Sequence, residues 1–172
     1  MLVDDYEIRL ANEEDLPRLP AIESAAAELF LSTDYAFLVN SEPISLDFLR
    51  RQQREGLVWV ATEACQVVGF VVVRILDEAV YLHEIDVHPT YGRRGIGRRL
   101  ILAVCQWARE VGYTAITLST FEEVPWNTPF YTRLGFRILL EEELSPGLIE
   151  VRMKESQAGL PIERRVCMRL DI

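Results

Sequence analysis

Three apolar, β-branched runs follow one another at residues 57–62, 67–75 and 80–87, parted only by the short breaks 63–66 and 77–79. Links of that length cannot hold a crossover helix, so the runs must pair as consecutive antiparallel strands. The chain then changes period. After the turn- and Gly-rich stretch 89–97, Ile96, Leu100, Val104, Trp107 and Val111 recur every three or four residues up to Gly112, the pattern of an amphipathic helix that stops at a glycine. Further runs predict a strand at 114–119, a short helix at 127–133, a strand at 136–140, a helix near 147–155 and a strand near 164–170.

Ahead of the three runs, residues 6–10 read as a strand, and Asn12 stands before Glu13, Glu14 and Asp15 as a helix start. Ala21, Ile22, Ala25, Leu29 and Phe30 give a helical buried stripe beyond Pro17 and Pro20. Ser45 is placed to cap a second helix through Arg54, which Gly56 ends, and residues 33–43 carry no clear period. No repeat, low-complexity tract or linker interrupts the 172 residues, so residues 1–172 are expected to form a single α+β domain.

Composition narrows the partners. A formal charge of −9 disfavours nucleic acid and anionic membranes and suits an amine-bearing ligand. Cys65, Cys105 and Cys167 have no metal-ligand spacing and read as small core residues; with only His83 and His88 beside them, no metal is expected. The start has no basic-then-apolar leader, and no apolar run approaches the roughly 18 residues of a membrane helix, so a cytoplasmic protein is expected.

The chemistry is concentrated between two elements. From His88 the chain runs Pro89-Thr90-Tyr91-Gly92-Arg93-Arg94-Gly95-Ile96-Gly97-Arg98-Arg99 into the amphipathic helix. Glycines let backbone N–H groups converge, a helix N-terminus attracts an anion, and four arginines add charge, an arrangement suited to a diphosphate. A nucleic-acid patch and a solvated helix start are the competing readings. Neither familiar nucleotide loop fits: no Gly-Lys-Ser/Thr occurs, and Leu100 stands where a dinucleotide fingerprint needs its third glycine.

On the preceding strand, Glu84 and Asp86 lie two residues apart and share a face, with His83, Ile85 and Val87 on the other. Mutual repulsion can raise one carboxyl toward neutrality and fit it to take a proton from an ammonium. Glu122 and Glu123 are second candidates for that base. Phe121, Trp126, Phe130 and Tyr131 could build an apolar pocket or simply pack. Arg152 and Glu155 have the i, i+3 spacing of an exposed ion pair, with a part in a lid over the acceptor as the alternative.

The sequence Val87-His88-Pro89 followed by Gly92-Arg93-Arg94-Gly95-Ile96-Gly97 resembles the phosphate loop of the GNAT acyltransferases, with Gly92 where Gln or Arg is usual. A second landmark, Asn127 followed by Phe130-Tyr131-x-x-x-Gly135-Phe136, resembles that family's Asn and Tyr element at closer spacing. The likeness covers about residues 57–140. It implies the GNAT fold, a mainly antiparallel central sheet with helices on both faces, splayed between the strands at 80–87 and 114–119 where acetyl-CoA enters. It further implies an N-acetyltransferase whose acetyl-CoA cosubstrate is held by Arg93, Arg94, Gly95, Ile96, Gly97 and Arg98. The N–H groups of Ile85, Asp86 and Val87 would hold the pantetheine and polarise the thioester, and Asn127 would touch the same arm. Glu84 matches the family's acidic base position, the amine would attack the thioester directly in a ternary complex, and Tyr131 would protonate the departing thiolate. The expected acceptor is a small-molecule or amino-acid-like amine, and the C-terminal strand would permit a homodimer. Acetylation of protein or peptide amines, and a CoA-binding regulatory module without turnover, are the alternatives.

Overall fold

A computed structural model describes residues 6–172. The strands are β1 (Glu7–Leu10), β2 (Val58–Glu63), β3 (Gln66–Leu76), β4 (Ala79–Val87), β5 (Ala115–Phe121), β6 (Arg137–Ile138) and β7 (Arg165–Asp171). The helices are α1 (Leu19–Ala27), α2 (Leu46–Arg54), α3 (Ile96–Glu110), α4 (Thr128–Arg133) and α5 (Pro146–Gln157). The strands form one seven-stranded, mostly antiparallel sheet in the order β1-β2-β3-β4-β5-β7-β6. The parallel pair β4–β5 is registered Val80 to Ile116 and Tyr81 to Thr117, near the start of both strands.

The chain groups into two units, the first made of residues up to Val73 with His83–Val104, the second of Arg74–Leu82 with Cys105–Ile172. In the first, Leu19 and Ile22 of α1 and Leu49 of α2 pack on Val58, Val60, Phe70 and Val72 of β2 and β3. Trp59 and Ala61, which alternate with Val58 and Val60, are also buried, so β2 is covered on both faces. The apolar stripe of α1 therefore runs through Leu19, Ile22 and Ala26. Leu29, expected inside it, is 45% exposed, because the chain tightens into a 3-10 turn at Glu28–Ser32 and the helical phase is lost. A second 3-10 turn, Ala36–Asn40, occupies the stretch that had no period. Ser45 does cap α2, its hydroxyl accepting from the Phe48 amide.

In the second unit, Leu148 and Val151 of α5 pack with Tyr81, Leu139 and Cys167. Cys105 is buried too, whereas Cys65 is exposed. The reason is backbone geometry: Ala64 and Cys65 both take positive φ (46° and 67°) in the two-residue turn joining β2 to β3. The strand expected over 136–140 is only two residues long, because the Phe136 amide is drawn to the Tyr131 carbonyl at the end of α4. The i, i+3 pair expected on α5 does not form. Arg152 instead donates to the carbonyls of Arg165 and Ile162, and Glu155 accepts from Arg165 at 2.8 Å and from the Ser119 hydroxyl at 2.9 Å.

The first turn of α5 is seated on the β3–β4 turn, where Asp77, itself at φ 54°, accepts from the Gly147 amide at 3.0 Å. A Cβ on Gly147 would lie 2.6 Å from Leu76 Cγ and 2.7 Å from Asp77 Oδ2. Gly147→Ala should therefore cost about 1–3 kcal/mol by overpacking, read as a lower denaturation midpoint in urea, while Gly159→Ala on open surface loses only what its positive φ demands.

Candidate active site

The first unit holds a loop and a group of carboxyls on a single strand end. β4 comes unusually close to β3 at Gly69: a Cβ there would stand 3.0 Å from the Asp86 carbonyl oxygen and 3.2 Å from Val87 Cγ2. Only glycine lets the Asp86–Val87 backbone sit there. Gly69 was not singled out in the sequence; an isolated glycine inside the apolar run 67–75 is the signal that marks such an approach.

Beyond Val87 the His88 amide donates to the Val68 carbonyl at 2.8 Å, and Pro89–Tyr91 makes a 3-10 turn. Gly92 is snug, since a Cβ would be 3.1 Å from the Pro89 carbonyl oxygen. Arg93 then takes φ 63° and Gly95 φ 78°, while a Cβ on Gly95 would meet open space. The first intrahelical bond of α3 runs from the Arg99 amide to the Gly95 carbonyl. The amides of Ile96, Gly97 and Arg98 therefore belong to the unsatisfied first turn of a 15-residue helix, anchored by buried Ile96. Such a turn accepts a diphosphate.

The four arginines divide into two pairs. Arg94 donates to the Tyr6 hydroxyl at 2.8 Å, lies 5.5 Å from the Tyr91 ring and approaches Glu63 at 4.0 Å; Arg99 donates to the Tyr6 carbonyl. These two fasten the loop to the start of β1. Arg93 and Arg98 are exposed, with no ion pair among the described residues.

Glu84 and Asp86 come together as expected from their shared face. Asp86 keeps its proton well above the usual carboxylate range, first because it is buried, then because Glu84 and Glu23 place negative charge near it and Glu84 shares a hydrogen bond with it. Its Oδ2 is out of solvent and has no hydrogen-bond partner among the described residues. Glu23, on α1, was not singled out by the sequence; its only signal is an acid beside the buried Ile22. Burial raises its carboxyl, against the Ile44 amide that donates to Glu23 Oε2 at 2.7 Å. His83 is turned to α2, its ring 4.8 Å from that of Phe48.

In the second unit, Tyr131 is 8% exposed, its ring 5.2 Å from Phe130 and 5.6 Å from Phe136. Asn127 precedes α4, but its side chain makes no capping bond, so capping does not account for it. Glu122 and Glu123 are exposed, as is Trp126, and Phe121 packs under Arg165, whose guanidinium lies 4.5 Å from the ring. Among the described residues, no group of three His, Cys, Asp or Glu side chains is arranged to hold a metal, and no helix is long and apolar enough to cross a membrane.

Residues 22–136 match the family described as "Acetyltransferase (GNAT) family". The chain belongs to that family, whose members are acyltransferases that draw on acetyl-CoA. A glucosamine 6-phosphate N-acetyltransferase of Trypanosoma brucei brucei is 33% identical over 57 residues, 33% of this chain and 37% of that protein; the matched segment is thus little more than a third of the relative. Among solved structures, the PaiA N-acetyltransferase of Thermoplasma acidophilum in complex with coenzyme A superposes with a TM-score of 0.71 at 17% identity, covering 98% of this chain and 99% of that one. The ribosomal-protein-S18-alanine N-acetyltransferase of Escherichia coli gives 0.68 at 20% identity, covering 97% and 94%. Both likenesses establish the shared fold.

The raised Asp86 carboxyl has a pH signature. Its folded-state pKa lies above the unfolded one, so its contribution to stability is fully present below the unfolded pKa and is lost as pH rises through the folded value. Asp86→Asn removes that loss: its stability relative to the parent should increase from pH 4 to pH 8 in urea melts, and a constant difference across that range would show that Asp86 ionises freely.

Proposed function

We propose that the chain transfers the acetyl group of acetyl-CoA to a primary amine of a small-molecule or amino-acid-like acceptor, by direct attack in a ternary complex. The observation that carries this reading is one strand end, β4, that delivers Asp86, its carboxyl out of solvent and raised by burial and by the neighbouring Glu84, and then the open loop ahead of α3. The family match from 22 to 136 runs through both units, which supports treating the whole chain as one catalytic domain. Free thiols at Cys65, Cys105 and Cys167 suit the reducing cytoplasm, where we place it.

The amides of Ile96, Gly97 and Arg98, with the Gly95 turn, receive the diphosphate, and Arg93 and Arg98 add side-chain charge to it. Arg94 serves this site by holding the loop on Tyr6. The N–H groups of Ile85, Asp86 and Val87 line the pantetheine and polarise the thioester carbonyl, and the uncommitted Asn127 side chain contacts the same arm. Glu84 takes the ammonium proton. The acceptor nitrogen then forms the new C–N bond, the C–S bond breaks with its electron pair on sulfur, and Tyr131 gives the thiolate a proton.

Tyr131→Phe should lower kcat about 100-fold with CoA affinity nearly unchanged in calorimetry, and undiminished turnover would remove the acid role. Glu84→Gln should flatten the rise of kcat/KM with pH, since it removes the group that takes the ammonium proton. Arg98→Ala should weaken CoA by about tenfold at low salt, and by less at high salt, because exposed charges are screened. The direct test is release of free thiol from acetyl-CoA against a panel of amino acids, polyamines, aminoglycosides and short peptides. Release with a small amine is expected; release with peptides alone would make it a peptide acetyltransferase, and CoA binding with no release a regulatory module.

A further inference from the structure

The loop ahead of α3 does not hold its shape by its own backbone. Arg93 (φ 63°) and Gly95 (φ 78°) are both left-handed, a conformation that an arginine disfavours, and nothing packs on Gly95, where a Cβ would meet open space. Arg94, between them, supplies the hold. Its guanidinium donates to the Tyr6 hydroxyl at 2.8 Å and to the Thr90 carbonyl at 3.5 Å, lies 5.5 Å from the Tyr91 ring and stands 4.0 Å from Glu63 Oε1. On the far side of the turn Arg99 donates to the Tyr6 carbonyl. Tyr6 thus grips the chain at both ends of residues 95–98, once through its side chain and once through its backbone. It is itself fixed, 3% exposed and directly before β1, whose Glu7 pairs with Thr62 beside Glu63.

An arginine can serve an anion site in two ways. Touching the ligand slows its departure and makes binding more salt-dependent, whereas holding the site raises the fraction of molecules ready to receive it and so speeds arrival. The exposed Arg93 and Arg98 are placed for the first. Arg94 is placed for the second, because its guanidinium is turned to Tyr6 and Thr90 within the protein. Without the Tyr6 hydroxyl the strained Arg93 and the unpacked Gly95 are free to relax, and a site that is ready only a fraction of the time binds more weakly by that fraction. Resting on the reading of this loop as the diphosphate site of acetyl-CoA, we propose that Tyr6 is a positioning residue: its hydroxyl, through Arg94, keeps residues 95–98 in the receiving conformation and sets the rate at which CoA binds.

Stopped-flow association and dissociation of CoA with the full chain tests this. Tyr6→Phe keeps the ring and removes the hydroxyl; it should lower kon about fivefold with koff within about twofold of the parent, so that Kd rises about as much as kon falls. The dependence of Kd on salt should not change, since no phosphate contact is lost. In thiol release, KM for acetyl-CoA should rise while kcat at saturation holds. Arg94→Lys, which keeps the charge but not the fork, should act alike, and the double variant should bind no worse than the weaker single one, because both changes break one bond. Arg98→Ala should do the opposite, raising koff and weakening the salt dependence. Melting midpoints check each fold, and should Tyr6→Phe not fold, Arg94→Lys decides by the same split of kon and koff. An unchanged kon, a loss carried by koff, or losses that add in the double variant would overturn the proposal, and an unchanged kon would leave the diphosphate reading standing. A parent chain that does not bind CoA would overturn both. CoA binding without thiol release would leave Tyr6's role in place while the acetyl-transfer reading fell.

Discussion

The contact on which the site depends is the close approach of β4 to β3 at Gly69. It lets the Asp86 carbonyl come within 3.0 Å of where a side chain would begin, and so it sets the line on which Glu84, Asp86, the Pro89–Tyr91 turn and the start of α3 are strung. Everything chemical in the first unit hangs from that strand end. Burial there raises the Asp86 carboxyl, with Glu84 beside it, and the left-handed Arg93 and Gly95 turn the chain into the first turn of α3. Geometry this tight is a property of packed backbone, which deforms little.

The second unit is organised by polar contacts of a different kind. Glu155 and Arg165 form an ion pair with both side chains largely buried, Ser119 bridges them, and Arg165 covers Phe121. Buried pairs contribute little net stability but penalise any arrangement that separates them. Here the pair joins α5, β5 and β7, and Asp77 fastens the other end of α5 through Gly147. The helix is thereby fixed at both ends, next to the strand that leads into the Asn127–Tyr131 segment.

The fold was legible where one period or one cap dominates. The three β-branched runs, α3 and the Ser45-capped α2 stand where their patterns put them, because a continuous apolar face leaves little choice of partner. Residues 33–43 were illegible, since 3-10 turns follow neither the helix nor the strand period. Leu29 and Cys65 were expected inside and lie outside for local backbone reasons, a change of helix type and a two-residue turn. In the site, the Gly-rich loop and the Glu84–Asp86 pair are sequence-local and were visible as such. Glu23 was not, because its influence on the Asp86 carboxyl is electrostatic and comes from α1, some sixty residues away in the chain. Arg94 and Arg98 looked alike in sequence, and only the three-dimensional position of Tyr6 separates an arginine that fastens the loop from one that faces solvent.

The measurement that tests the account most directly is a CoA titration followed by the backbone amide resonances of the protein. If the loop ahead of α3 receives the diphosphate, the amides of Gly95, Ile96, Gly97 and Arg98 should move most, with an affinity that falls as salt is raised, and inorganic pyrophosphate should displace the same shifts. Saturable CoA binding that leaves those four amides in place, or no binding at all, would contradict it.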